Sequence, residues 1–132
     1  MPLPLDKLMH DLATYLRTPL DVVHDVYTLT VPLPGARFQV VSATIRPDHE
    51  GHQLIDFVSG VGQVYRGLDP WYLLAMNDKT MFCRVAVVRQ MIFVVASQLL
   101  DTAQPQEVLI MLREVATTAD RLEEQLFARD EN

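Results

Sequence analysis

Residues 69–99, DPWYLLAMNDKTMFCRVAVVRQMIFVVASQL, contain the signals that set the architecture of this chain. Asp69 fits the N-cap of a helix and Pro70 fits its first turn, where the missing amide hydrogen costs nothing. The pattern predicts a short helix that ends at Asn77-Asp78. Its sheet-facing side is predicted to hold Trp71, Leu74 and Ala75.

Two apolar runs follow this helix, over residues 81–88 and 91–99. Both are rich in β-branched and aromatic residues, which favour strands. Arg89-Gln90 lies between them and lacks the glycine of a typical tight turn. We therefore predict a helix followed by a hairpin of two strands.

Upstream of this stretch, the chain predicts one helix and three strands. Apolar residues recur at helical spacing over about residues 4–17. Period-two patterns then predict strands over Tyr27–Val31, Phe38–Ile45 and Leu54–Tyr65. Pro34-Gly35 predicts the first hairpin turn, and Gly60 with Gly62 predicts a bulge or bend in the third strand.

A long amphipathic helix is predicted at the C-terminal end, from Gln104-Pro105 to Leu126, with an excess of acidic side chains. The resulting order is α-β-β-β-α-β-β-α. Runs of strands separated by helices predict an α+β fold, in which a five-stranded antiparallel sheet is covered by helices on one face. We expect one domain spanning residues 1–132.

Composition excludes several classes of protein. The chain has 132 residues, 49% of them hydrophobic, a net charge of −6 and one cysteine. A single cysteine forms no internal disulfide, and an acidic chain is a poor direct partner for nucleic acid. We find no signal peptide and no apolar run of membrane-spanning length, and we expect a cytoplasmic protein without a membrane partner. The arginines of the predicted sheet are divided between its two faces, so they are not expected to form one basic surface. They are Arg37, Arg46, Arg66, Arg84 and Arg89.

The segment Asp48-His49-Glu50-Gly51-His52 holds two imidazoles and two carboxylates. These are metal-ligating groups, but a structural site needs further ligands that converge on the same point. We favour a solvated turn between two strands. No metal or cofactor is therefore expected.

Cys83 could act as a nucleophile, which requires an activated thiolate and a neighbouring base. The sequence shows no local signature for either, so Cys83 is predicted to be a small core residue. Asp56 and Asp69 are better explained as an exposed strand position and a helix cap than as a catalytic pair. We expect no catalytic residue. The alternative is a small ligand-binding or thiol-dependent enzyme domain that uses Cys83 or the His49/His52 pair.

The second half of the chain resembles a known fold family. The relevant segments are Leu73-Leu74-Ala75-Met76-Asn77, Phe82–Val87, Phe93–Ala96 and Ala119–Glu123. Together they resemble the type III secretion chaperone-like fold and, more closely, the YbjN family of small bacterial proteins. The family usually has an acidic-Gly hairpin turn where this chain has Arg89-Gln90. The resemblance implies a non-enzymatic protein, since chaperones of this fold are typically homodimers that hold an extended client segment on an apolar surface.

The apolar content exceeds what one small sheet and three helices are expected to bury. We therefore expect a homodimer or client interface around the second helix and the hairpin after it. The residues predicted to line this interface are Trp71, Tyr72, Met76, Phe82, Val85 and Val87. An acidic last helix could steer a basic client, such as a nucleic-acid-binding protein, and a sheet edge could accept a client strand.

Overall fold

The computed structural model describes residues 5–127. Its helices are α1 (Leu5–Leu16), α2 (Pro70–Met76) and α3 (Pro105–Phe127). Its strands are β1 (Leu20–Val23), β2 (Val26–Leu33), β3 (Arg37–Pro47), β4 (Gln53–Gln63), β5 (Arg84–Val88) and β6 (Met91–Leu99). The predicted start of the first helix, residue 4, lies outside the described part.

All strand pairs are antiparallel, in the order β1-β2-β3-β4-β6-β5. The α+β prediction is confirmed, but the prediction of five strands is wrong because β1 was missed. β1 has only four residues and pairs with β2 alone, through a turn in which His24 and Asp25 both have positive φ. Such a turn usually contains glycine or asparagine, so its sequence gave no hairpin signal.

One face of the sheet, the inner face, packs against α1 and α3. Strand residues of one parity are buried there because successive side chains point to opposite faces. They include Leu29, Val31, Val41, Ile55, Phe57, Ile92 and Val94. α3 lies against β3, β4 and β6, while α1 lies against β1 and β2. Among the described residues, no helix is both long and apolar enough to cross a membrane.

The opposite face, the outer face, holds strand residues of the other parity, and these are exposed or half-buried. The apolar side chains among them toward one end of the sheet include Phe38, Val40, Val58, Val88, Met91, Phe93 and Val95. We call this group the outer apolar patch. Within residues 5–127, α1 and α3 leave it uncovered because both pack on the inner face.

The β3–β4 ladder ends at the Ser42–Val58 pair. Beyond it, side chains bridge the two strands: Ser59 Oγ donates to the Val40 carbonyl at 2.7 Å, and Gln39 Nε2 donates to the Gly60 carbonyl at 3.3 Å. The register of β4 on β6 shifts between Gly60 and Gly62, which confirms the predicted bulge. The sheet is therefore split locally between β3 and β4.

Candidate protein-binding surface

Helix α2 begins with the predicted cap. Asp69 Oδ1 accepts the backbone N–H of Trp71 at 3.0 Å, and Pro70 occupies the first turn. Leu73 and Met76 are the buried residues of this helix. They hold α2 against the core beside β5, the edge strand of the sheet.

The exposed side of α2 differs from the prediction. Trp71 is 74% exposed, and Leu74 and Ala75 also face solvent. The prediction that these three residues face the sheet is wrong. A helix of seven residues makes only two turns, so Leu73/Met76 and Trp71/Leu74 are equally regular apolar pairs in the sequence. Contacts with the rest of the fold select the first pair.

The segment between α2 and β5 is held by one carboxylate on α3. Glu114 Oε2 accepts the backbone N–H of Met81 at 2.7 Å, and its Oε1 accepts those of Phe82 and Cys83 at 2.7 and 2.8 Å. Because these N–H groups point at α3, β5 begins at Arg84 and not at residue 81 as predicted.

The same contacts alter the acidity of Glu114. Partial burial alone would raise its pKa, but the three backbone donors and the Cys83 thiol together hold it below its ordinary value of 4.5. Glu114 is therefore ionised at neutral pH. The charge strengthens each hydrogen bond that it accepts.

Asn77 joins the end of α2 to β5. Its Oδ1 accepts the Val85 N–H at 2.6 Å, and its Nδ2 donates to the Val85 carbonyl at 3.4 Å. Together with Glu114, Asn77 fixes both ends of the connecting segment. Phe82 and Met81, which is 80% exposed, thus project from backbone that is anchored in place.

Among the exposed apolar residues on α2, the following segment and β5 are Trp71, Leu74, Met81, Phe82 and Val87. We call them the α2–β5 patch. Three of them, Trp71, Phe82 and Val87, are predicted interface residues. Leu74 and Met81 were missed, although methionine is common on adaptable binding surfaces.

Three further predicted interface residues are placed differently. Tyr72 is partly exposed, and its hydroxyl donates to Gln125 Oε1 on α3. Met76 and Val85 are only 6% and 7% exposed, so both belong to the core of the chain.

Cys83 is buried, as predicted, and its Sγ lies 3.7 Å from Thr118 Oγ1. Burial raises the pKa of its thiol to about 12. The thiolate is the reactive form, so this environment is unfavourable for nucleophilic chemistry at neutral pH. The geometry gives no support to the alternative of a thiol-dependent enzyme.

The segment 48–52 forms the turn between β3 and β4. Asp48 Oδ1 accepts the backbone N–H groups of Glu50 and His52, both at 2.8 Å, and Asp48 Oδ2 lies 2.9 Å from His52 Nδ1. Partial desolvation raises the pKa of Asp48, but the hydrogen bonds from Glu50 and His52 outweigh this effect. The net result is a pKa below the ordinary value. Asp48, Glu50 and His52 have ligand atoms within 4.8 Å of one another. Both Asp48 oxygens are engaged in closing the turn.

Asp56 and the arginines form structural pairs. Arg46 donates to both oxygens of Asp56, at 2.6 and 3.0 Å, on the outer face. The hydrogen bonds from Arg46 lower the pKa of Asp56, and burial raises it. A hydrogen bond from Ser97 also lowers the pKa, so the net shift is downward. Arg37, at the opposite end of β3, donates to Asp120 on α3 at 2.7 Å. The two arginines lie on different faces, so β3 presents no single basic surface.

Part of the acidic surface of α3 is also engaged within the chain. Asp120 and Glu124 lie 2.7 and 3.6 Å from Arg37 Nη2. Glu123 Oε1 accepts Gln39 Nε2 at 2.8 Å. These carboxylates hold α3 against β3, a role that the sequence did not indicate.

Comparisons with known proteins identify the fold. No family model matches this chain, and no curated protein matches it significantly. The closer resemblance to the YbjN family therefore stays a prediction. A solved structure described as "Structure of the HopA1-SchA Chaperone-Effector Complex" contains a chain that matches this one with a TM-score of 0.62 and 10% identity. The match covers 93% of this chain and 99% of that chain, so the two share a fold across nearly their whole length.

Proposed function

We propose that this chain is a non-enzymatic, chaperone-like adaptor that acts as a homodimer in the cytoplasm and binds a client protein. The observation that carries the proposal is the α2–β5 patch. Five exposed apolar side chains lie on backbone that Asp69, Asn77 and Glu114 hold in place. Apolar residues displayed on a fixed scaffold bind a partner with little loss of conformational entropy.

The edge strand β5 adds a second mode of contact. β5 pairs with β6 on one side only, so its other edge is the end of the sheet. An extended client segment could add there as a strand, with its side chains beside Val87 and Val88. The shared fold with a chain of a chaperone–effector complex supports a client-binding role without identifying the client.

The charge of the chain favours a basic client. The net charge is −6, and α3 contributes acidic residues beyond those paired with Arg37 and Gln39, including Glu107 on its first turn. Such a field accelerates association with a basic protein and weakens as salt screens it. A nucleic-acid-binding protein is one client of this class.

The proposal is tested by capture of clients with the tagged protein, followed by mass spectrometry and by rebinding of each purified candidate. Trp71→Ser and Phe82→Ser each remove a large apolar side chain from the α2–β5 patch. We expect each to weaken client binding at least tenfold, which corresponds to about 1.4 kcal/mol.

Ile110→Ser is the matched control, because Ile110 is an exposed apolar residue on α3, outside the patch. It should bind the client as the parent chain does. Client binding that survives both patch substitutions would contradict the proposed surface. Binding that does not change between low and high salt would contradict a basic client.

A further inference from the structure

A polar hollow of about 300 Å³ lies between α3 and the segment that joins α2 to β5. Three cationic side chains line it, Lys79 from the segment and Arg113 and Arg121 from α3. Arg113, Thr117 and Arg121 are spaced four residues apart, so they form one stripe about 12 Å long on α3. The hollow therefore has positively charged walls on a chain whose net charge is −6.

Within residues 5–127, none of these three cations forms an ion pair with a carboxylate. Other basic residues do: Lys7, Arg37 and Arg46 each have an acidic partner. Arg113 Cζ lies 5.6 Å from the centroid of the Tyr15 ring, a cation–π contact that does not use its N–H donors. The cations around the hollow thus keep their hydrogen-bond donors for a ligand.

The carboxylates near the hollow do not cancel its charge. Glu114 lines the hollow, but its two oxygens already accept the backbone N–H groups of residues 81–83. Asp120 and Glu124, which flank Arg121 on α3, lie 2.7 and 3.6 Å from Arg37 Nη2 and do not line the hollow. Three cations and the ionised Glu114 leave the lining of the hollow with a net charge of +2.

Two hydroxyl groups add neutral donors to this lining. Thr118 is only 6% exposed, and its Oγ1 accepts the Cys83 thiol at 3.7 Å. A hydroxyl has one proton besides its lone pairs, so Thr118 can still donate to a ligand. Thr117, the neighbouring residue on α3, lines the hollow with a second hydroxyl.

The charge and the donors together fit a phosphate group. A phosphate monoester carries a charge of about −1.5 to −2 at pH 7 and three strong acceptor oxygens. A carboxylate carries only one negative charge and would leave the lining positive. Arginine binds phosphate oxygens through its planar fork of N–H groups, and lysine binds them as a point charge.

We propose that this hollow is a binding site for a phosphate group, in which Lys79, Arg113 and Arg121 donate to the phosphate oxygens and Thr117 and Thr118 add hydroxyl donors. The source of the group is either inorganic phosphate or a phosphoserine of another protein, and the test separates the two. This site goes beyond the proposed function and does not depend on it, because none of its five ligand-binding residues belongs to the α2–β5 patch.

The test is a titration of the ¹⁵N-labelled full chain with inorganic phosphate near neutral pH, with chloride holding the ionic strength constant. We expect saturable shifts of the amide signals of Lys79, Thr117 and Arg121. Lys79→Gln and Arg121→Gln each remove one exposed charge from the hollow and should weaken binding about fivefold. Arg89→Gln is the matched control, because it removes the same charge at the exposed β5–β6 turn, and it should bind phosphate as the parent chain does.

A short uncharged peptide that carries one phosphoserine identifies the source of the phosphate. Binding of this peptide at least about tenfold tighter than inorganic phosphate, and loss of binding without the phosphate, support the site and assign it to a phosphorylated protein. Equal or tighter binding of inorganic phosphate supports the site and assigns it to the free ion.

Three results would overturn the inference. One is the absence of saturable shifts at the hollow in the parent chain. Another is binding of acetate as tight as that of phosphate at the same ionic strength, since charge would then not select the ligand. The third is equal weakening by Arg89→Gln and the hollow variants, which would assign the effect to net charge. Client capture through the α2–β5 patch is measured separately, so failure of this site leaves the proposed function standing.

Discussion

A single carboxylate, Glu114, shapes the segment that carries two exposed apolar residues. It accepts three backbone N–H groups from residues 81–83, more than 30 positions away in the sequence. Without this acceptor, the part-buried Cys83 N–H would need a new partner, whereas the N–H groups of exposed Met81 and Phe82 could turn to water. Each buried donor left unsatisfied costs about 1–3 kcal/mol.

We predict that Glu114→Gln lowers the free energy of unfolding by about 2 kcal/mol at pH 7, because a neutral amide accepts fewer and weaker bonds. The measurement is urea denaturation. Glu107→Gln, on the first turn of the same helix, is the matched control and should change stability by less than about 0.5 kcal/mol. Equal loss in both variants would contradict the assigned role.

The lowered pKa of Glu114 also predicts a pH dependence. A carboxyl whose folded-state pKa lies below its unfolded value stabilises the fold above the unfolded value, and this contribution is lost as pH falls. For Glu114 the loss should begin near pH 4.5 and continue toward its lower folded-state pKa. The stability difference between the parent chain and Glu114→Gln should therefore shrink below pH 4.5. A stability difference that stays constant down to about pH 3 would contradict this pH dependence.

Cys83 should be inert in the folded protein. Its thiol is buried and its pKa is raised to about 12, so little thiolate exists at neutral pH. We predict that a thiol reagent labels Cys83 on the order of a hundredfold more slowly in the native protein than in urea, because access requires opening of the structure. Rapid stoichiometric labelling under native conditions would contradict this and revive the thiol-enzyme alternative.

At the level of elements, the two glycines of the β4 bulge have different roles. A Cβ on Gly62 would lie 2.6 Å from Phe127 Cζ, so the end of α3 packs directly on this glycine. A Cβ on Gly60 would meet nothing closer than Phe93 Cε1 at 3.9 Å. Gly62 therefore permits close packing of helix on strand, whereas Gly60 has room for a side chain beside the Phe93 ring.

We predict that Gly62→Ala destabilises the chain by about 1–3 kcal/mol, because the Phe127 ring must move. Gly60→Ala is the matched control and should be neutral or slightly stabilising, since alanine restricts the unfolded chain more than glycine does. Thermal unfolding of the two variants makes the comparison. The interpretation fails if the two variants show the same midpoint.

The β5–β6 hairpin uses a two-residue turn of unfavourable sequence. Arg89 and Gln90 both have positive φ, and Val88 pairs directly with Met91 across the turn. A left-handed conformation costs roughly 1–2 kcal/mol for a residue with a Cβ. The two strands therefore pair up to the turn, but the left-handed conformation of Arg89 and Gln90 lowers the stability of the fold.

We predict that Gln90→Gly raises the free energy of unfolding by about 1 kcal/mol, because glycine adopts positive φ without strain. Gln90→Ala removes the same polar group but keeps the Cβ, so it should give little or no gain. Chemical denaturation distinguishes the two. A larger gain from alanine than from glycine would show that the side chain, not the backbone conformation, limits the turn.

At the level of the whole molecule, the proposed homodimer links stability to concentration. A partner that binds only the folded state raises the apparent stability by mass action. We predict that the thermal midpoint of the parent chain rises by about 3 °C for each tenfold increase in protein concentration. A concentration-independent midpoint in the parent chain would contradict the homodimer.

Much of the local structure follows from patterns within a few residues. Period-two alternation identified β2, β3, β4 and β6, and helical spacing identified α1 and α3. The Asp69-Pro70 pair gave the start of α2, and the glycines of β4 gave its bulge. These features depend on backbone preferences and on burial of one face, which neighbouring residues encode.

The candidate surface depends on contacts between distant parts of the chain. Whether Leu73 or Leu74 faces the core, and whether Val85 is buried, depends on the elements that pack beside them. The capture of residues 81–83 by Glu114 and the uncovered outer face likewise have no local signal. The amino-acid sequence thus specified the elements and their buried faces, because these arise from short-range periodicity. Tertiary structure alone determined which apolar residues remain exposed, because that depends on how a limited number of helices covers a six-stranded sheet.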